Sequence, residues 1–455
     1  MSIQMKAGFA RTDITPPFAV PMGGYGNSFS RISEVVLDPL LASCVAVSDG
    51  DTAALFFHLD LCGFPNECVA FCKETLEKKL GIPQDQITFT VTHTHSAPDL
   101  LSDMECIKTY IAEILQPRLI ALAVDALDDL DDATLSIGSG KTEGLNFVRR
   151  YLLSDGSYGG DNFGDFVNNT ILAHESEADP VMQLVCWNRA NKKNIVMVNW
   201  QTHPHRTGGS RFRNLSSDLI HHFRIAAEEA NDVYVAYYQG CGGNINSHSR
   251  IDEENSPEFF QDETRKDYVN HGRKLAKVFN AILPTVRPVK AGKIIATSKI
   301  FEGKVNHETD CLVEKALEVD AVWKNNQLND ARALAVEKGF NSVYHCFAVI
   351  RRSKMPQTHS YRIGAIAIGD FAFVWAPNEL YDTTGIYLKG VSPFELTYVC
   401  GYTNGTGNGY MPTIKAFAHG GYGCDTCKFP SGTAEILADE LLGLLVQLYK
   451  QGRAG

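Results

Sequence analysis

No stretch of this 455-residue chain approaches the roughly 18–20 consecutive apolar residues that a membrane-spanning helix needs, so no integral membrane segment is expected. No stripe of Lys and Arg runs along it either. With 42 basic against 53 acidic residues and a net charge of −11, nucleic acid is not an expected partner. That charge also gives no electrostatic help on an anionic lipid surface. The opening Met1-Ser2-Ile3-Gln4-Met5-Lys6 has no apolar core of a secretory signal, which makes a cytoplasmic location the expectation. No low-complexity tract or long Pro/Ser linker divides the chain, so one large domain over residues 1–455 is expected. The twelve cysteines are scattered through apolar strand and helix patterns and read as reduced core thiols. Cys424-Asp425-Thr426-Cys427 is a lone pair with no second pair to complete a metal site.

What is present is a strand–helix–strand unit that recurs three times. The first runs Ala53–Asp60, a helix near Asn66–Leu80, then the apolar, β-branched Ile87-Thr88-Phe89-Thr90-Val91 leading to His95. The helix has Val69, Cys72, Leu76 and Leu80 on one stripe and Gly81 as its stop. The second runs Asn194–His203, a helix from about Ser217 to Ala230, then Val233–Tyr238 into Gly240-Cys241-Gly242-Gly243-Asn244. The third runs Phe371–Trp375, a shorter helix near Leu380–Leu388, then Leu396–Cys400 into the glycine-rich Gly401–Tyr410. Such alternation predicts an α/β fold with mixed sheets and parallel pairs. Residues 307–339 read as an insertion of two helices, Asp310–Lys324 and Asn329–Lys338, more peripheral than lid-like. Ser431–Tyr449 reads as a C-terminal core helix.

In α/β sheets, ligands bind beyond the carboxyl ends of strands. Here those ends carry Asp60, His93, His95, His203, Asn244, Glu379 and Tyr410. Side chains two apart on a strand share a face, so His93 and His95 are expected to project together. His203-Pro204-His205 repeats the pattern at a second strand end. Two such pairs point to a metal. Nitrogen donors with a carboxylate favour zinc, with iron and manganese sharing the donor set. Glu379, after Pro377, is the natural oxygen ligand, and Asp60 is placed to orient a ligand imidazole or to serve the structure alone, in preference to binding a second metal. Asp218 opens a helix and suits a cap. Neither glycine-rich loop has a phosphate-loop or dinucleotide spacing. Their backbone N–H groups are candidates to stabilise an oxyanion, and tight turns explain them equally.

Several ordered segments together resemble the neutral/alkaline non-lysosomal ceramidase family. They are Ala7–Pro17, Thr92–Pro98, Asn146–Tyr151, Asn199–His203, Arg362-Ile363-Gly364, Glu379, Tyr410 and Tyr422. The resemblance implies a zinc-dependent amidase with the metal on His93, His203, Glu379 and Tyr410. It implies His95 as a proton-transfer partner beside the metal, Arg149 on the substrate oxygen with Arg150 competing for that role, and Tyr422 as a second active-site tyrosine. Where the family carries Gly-Asp-Val-Ser-Pro with an essential serine, this chain has Gly243-Asn244-Ile245-Asn246-Ser247. Asn246 thus takes the serine's position in the catalytic set, and Ser247 substitutes only with a one-residue shift. The chain is expected to be a short form without the family's C-terminal immunoglobulin-like domain.

The expected activity is zinc-assisted hydrolysis of a small-molecule or lipid amide. Two rivals stand beside it. A barrel-type amidohydrolase also uses His-X-His, but would need eight regular strand–helix units. A non-catalytic lipid-binding homologue would account for the altered serine position.

Overall fold

Strands rich in β-branched and aromatic residues build two sheets. β1 (Met5–Asp13), β2 (Leu41–Ser48), β3 (Ala53–Leu59), β4 (Ile87–Val91), β5 (Asp131–Lys141), β6 (Val181–Arg189), β7 (Ile195–Trp200) and β8 (Tyr234–Gln239) lie in the order β8-β7-β6-β5-β1-β2-β3-β4. Arg287–Pro288 adds a short strand beside β5. β9 (Ile294–Lys304), β10 (Thr358–Ile368), β11 (Phe371–Trp375) and β12 (Leu396–Cys400) form the second sheet in that order. This computed structural model describes residues 4–25, 28, 30–160, 170–207, 212–251, 267–325 and 327–454.

Three neighbouring pairs are parallel: β3 with β4, β7 with β8, and β11 with β12. The other neighbours in both sheets run antiparallel. The longer helices are α1 (Asn66–Leu80), α2 (Gln116–Asp128), α3 (Leu219–Asn231), α4 (Asp267–Ile282), α5 (Val313–Lys324), α6 (Leu328–Glu337), α7 (Val343–Ser353), α8 (Asp382–Val391) and α9 (Thr433–Ala454). α1, α3 and α8 cross between the three parallel pairs, so the expected strand–helix–strand units are present. α1 stops at Gly81, whose φ of 72° lets its N–H reach Glu77 O. α3 starts at Asp218, whose side chain accepts from Leu219 N as expected of a cap.

β3 is buried along its whole length, as a strand covered on both faces must be. α1 and α2 cover the outer face of β1–β4 through Cys72, Leu76, Leu119 and Leu122. α3 and α4 cover β6–β8 through Phe223, Ala227, Leu275 and Phe279. The two sheets meet on Phe56, Trp187, Tyr238, Phe373, Trp375 and Tyr398. α9 closes the far side with Leu437, Leu441, Leu445 and Leu448. The result is a helix–sheet–sheet–helix stack. The larger sheet curls until Tyr238 of β8 donates to Phe56 O of β3 at 2.9 Å, without closing into a barrel. The eight-fold parallel barrel of the rival reading is therefore not this fold.

The helical insertion has three helices where two were expected. α7 follows Gly339 after a cap in which Ser342 accepts from His345 N. Gly339 sits at φ +87° and reads as a terminus, which is why the expected insertion ended there. Trp323, Phe340, Val343 and Cys346 give α5–α7 a small core of their own. All twelve cysteines are free. No helix among the described residues is long and apolar enough to cross a membrane.

Candidate metal centre

β4 ends at Val91, and the residues after it leave the sheet. His93 has a left-handed φ of 63°. Strand alternation therefore does not display His93 and His95 together, as the sequence pattern suggested; a turn does. His93 Nδ1 lies 2.7 Å from Cys62 O. The His95 N–H donates to Pro204 O at 2.9 Å, and the buried Arg31 donates to His95 O at 2.7 Å. Gly24, at φ +107°, passes so close that a Cβ there would lie 2.5 Å from the His95 ring. So held, His93 Nε2 and His95 Nε2 come within 3.3 Å.

His203 forms an isolated parallel bridge to Asn246, past the end of β7. Its Nδ1 is 2.7 Å from Gly242 O. Glu379 pairs in parallel register with Tyr410, each in a two-residue strand. The Glu379 Oε2 atom lies 3.5 Å from His93 Nε2 and 3.4 Å from His203 Nε2. Arg149 Nη2 donates to Tyr410 Oη at 2.9 Å and to Gly243 O at 2.8 Å, and lies 3.4 Å from His203 Nε2.

These distances fit a metal. Around a tetrahedral zinc with bonds of about 2.0–2.1 Å, neighbouring donor atoms sit roughly 3.3–3.4 Å apart. His93, His95 and His203 bring their donor nitrogens within 4.8 Å of one another. Desolvation by burial lowers the pKa of all three imidazoles, with the Glu379 carboxylate opposing it at His93 and the Arg149 cation reinforcing it at all three. Neutral imidazole is the form that binds a metal. A carbonyl on Nδ1 fixes the proton there and turns the Nε2 lone pair inward. His93 and His203 have that arrangement, whereas His95 Nδ1 has no hydrogen-bond partner among the described residues.

The group opens into a cavity of about 270 Å³, lined by His93, His95, Glu379, Tyr410, Tyr422, Leu100 and Leu101 among others. The Tyr422 ring meets Tyr410 at 5.3 Å and Tyr344 of α7 at 5.8 Å. The insertion thus reaches the cavity wall. Sequence reasoning missed Cys62, Tyr402 and Tyr344. Tyr402 lays its ring 4.4 Å from that of His93 and its hydroxyl 3.5 Å from Glu379 Oε2. It belongs to the glycine-rich Gly401–Tyr410 run, whose turns were the available signal.

No family model and no curated protein matches the sequence. Solved structures do match its fold, two ceramidases among them. A neutral ceramidase from Pseudomonas aeruginosa superimposes with a TM-score of 0.73 at 16% identity, over 99% of this chain and 75% of that one. A ceramidase complexed with C2 gives 0.69 at 15% identity, over 99% and 76%. The chain has a neutral ceramidase-like fold.

Within this ceramidase-like fold, the remaining expected residues divide. Arg149 turns to the grouped histidines, while Arg150 pairs with Glu175 at 2.6 Å and donates to Gly420 O and Ala416 O. Asp60 does not orient a ligand imidazole. Its carboxylate is taken by Arg224 at 2.8 Å, Ser217 at 2.8 Å and Leu41 N at 3.0 Å, and backbone carbonyls do the orienting instead. The side chain of Asn244 exchanges hydrogen bonds with Asp382 at the start of α8, and only its carbonyl, accepting from Arg149 N, supports the centre. Asn246 is buried, pairs with Phe147 in a short antiparallel ladder, and bonds His205 through its side chain. The N–H groups of Gly240, Gly242 and Gly243 are spent on Trp200 O, Gly240 O and Leu380 O. Those three N–H groups are therefore committed elsewhere, while Gly242 O meets His203 and Gly243 O meets Arg149.

Proposed function

We propose that the protein is a zinc-dependent hydrolase that cleaves the N-acyl amide bond of a ceramide-like lipid or a smaller N-acyl compound. The observation that carries this reading is the 3.4–3.5 Å spacing of Glu379 Oε2 from the His93 and His203 Nε2 atoms, beside a cavity that His93, His95 and Glu379 line. His93, His203 and Glu379 would hold the ion, with Tyr410 beside them. When bound, zinc supplies Lewis-acid polarisation of a carbonyl and acidifies a water molecule. Arg149 and Tyr422 are set to bind the developing oxyanion. His95, neutral and with Nδ1 uncommitted, is the group suited to take a proton and pass it to the leaving amine. The ceramidase likeness, with Leu100 and Leu101 on the cavity wall, favours an acyl substrate.

Purified wild type is expected to carry zinc and to hydrolyse at least one member of a panel of N-acyl compounds that includes ceramide. His93→Ala should lose both. Wild type without stoichiometric metal, or indifferent to chelation, rejects the proposal. Asn246→Ser tests the altered position: a gain on ceramide would mean that this residue sets the substrate.

A further inference from the structure

A second group of donors converges where α3 begins. His221 and His222 lie in its first turn, and Asp38 reaches them from the loop before β2. Asp38 Oδ1 is 3.3 Å from His222 Nε2 and 3.8 Å from His221 Nε2. The three donor atoms all lie within 4.8 Å of one another. Adjacent residues on a helix diverge by about 100°, yet the two rings stand 5.0 Å apart at 85° with both Nε2 atoms near the same carboxylate.

The Asp38–His222 ion pair accounts for only part of this arrangement. His221 is left unsatisfied: its Nε2, 3.8 Å from Asp38 Oδ1, is beyond hydrogen-bond reach of it, and its Nδ1 is buried with no hydrogen-bond partner among the described residues. A buried imidazole that its neighbouring carboxylate does not reach is costly unless something else engages it. Asp38 is held from behind, where Ser216 Oγ donates to its Oδ2 at 2.5 Å and leaves Oδ1 to the imidazoles. A hydrogen-bonded carboxylate of this kind is what orients a metal ligand. The nearest cation on the helix, Arg224, is committed to Asp60. Two nitrogens and one oxygen suit zinc or cobalt, whereas magnesium and calcium take shells of oxygen.

We propose that Asp38, His221 and His222 form a second site for a divalent transition metal, separate from the centre at His93, His203 and Glu379. The site reaches that centre through Ser216. Thr94 Oγ1 donates to Ser216 O at 2.8 Å, and Ser216 N donates to Ser96 O at 2.9 Å. An ion on Asp38 therefore braces the loop that carries His93 and His95.

Metal-stripped full-length protein, titrated with Zn²⁺ by calorimetry, should take up two equivalents. His222→Ala should take up one. The double variant His93→Ala/His203→Ala should also take up one, and adding Asp38→Asn should remove it. Co²⁺ should give a visible spectrum in the double variant that vanishes in the triple. Equal uptake by wild type and His222→Ala overturns the proposal. So does a double variant that is folded by circular dichroism and binds no Zn²⁺. If the double variant does not fold, the comparison of wild type with His222→Ala decides alone, and it does so whether or not the first centre is catalytic.

Discussion

Arg149 and Arg150 are neighbours and both are buried, yet they serve different ends. Arg149 reaches Tyr410 and the His203 ring, while Arg150 meets Glu175 with both side chains almost closed to water. Arg149→Ala should lower kcat by about 10²–10³, the usual loss for one oxyanion donor, with zinc content unchanged by metal analysis. Arg150→Ala should instead cost about 3–5 kcal/mol of stability in denaturant unfolding, because it leaves the buried Glu175 carboxylate with His419 alone as its ion-pair partner. If Arg149→Ala loses its metal, or Arg150→Ala is as stable as wild type, these assignments are reversed. Gly243 makes a related point. A Cβ there would collide with the backbone of Glu379 and Leu380, so Gly243→Ala should displace the carboxylate and weaken zinc retention during dialysis. At this scale the sequence disclosed His93, His203 and Glu379, because chemistry-bearing residues just past apolar strands are unusual. It did not disclose Cys62 or Gly242, which act through main-chain oxygens that any residue possesses. Nor could it disclose the left-handed φ of His93, since Thr-His-Thr-His continues the polarity of an extended segment.

α1 shows what an element's own pattern hides. Its apolar stripe was legible from Val69, Cys72 and Leu76, and its stop from Gly81. Lys73 sits beside that stripe, and the second sheet covers it. Its ammonium donates to Gln84 O at 3.1 Å and lies 5.3 Å from the Trp375 ring centre. Burial pulls its pKa down to about 7. Between about 7 and the ordinary lysine value of about 10.4, the unfolded chain binds a proton that the folded chain does not. Stability contributed by this group therefore rises with pH across that window. Lys73→Met keeps the volume and removes the charge. It should melt above wild type at pH 6, by an amount equivalent to about 1–4 kcal/mol, and the difference should shrink toward pH 10. A constant difference across that range would mean that Lys73 titrates as it does in water. The three parallel units were legible because each is local: strand, helix and strand follow one another. The sheet-on-sheet contact that buries Lys73 is not, since Trp375 and α1 are brought together only by the whole stack.

Stacking two sheets between helices also explains why so many imidazoles are buried. Loops leaving β3, β4, β7 and β11 converge, and the histidines they carry are closed in from every side. Burial lowers the pKa of His58, His93, His95, His203, His205 and His221, that of His205 to about 3. In the unfolded chain each titrates near 6.5. Below that pH the unfolded state gains protons that the folded state refuses, so stability is lost on acidification. Each pH unit over which one such ring resists protonation costs about 1.4 kcal/mol. Among the carboxylates, Asp382 opposes this within the same range, because burial raises its carboxyl to about 6, whereas Asp60, between Arg224 and His58, and Glu175, beside Arg150, are held below their ordinary values and act only at lower pH. From pH 6.5 to about 4.5 the six histidines outnumber the opposing Asp382 carboxyl and set the sign of the change. The melting temperature of metal-free protein should fall steadily across it. Zinc should raise that temperature at pH 7.5 and lose its effect as protons compete for the same nitrogens. A metal-free protein whose melting temperature is flat from pH 7 to 5 would mean that these rings already reach solvent, and the centre could not then hold a metal in the manner argued from its burial.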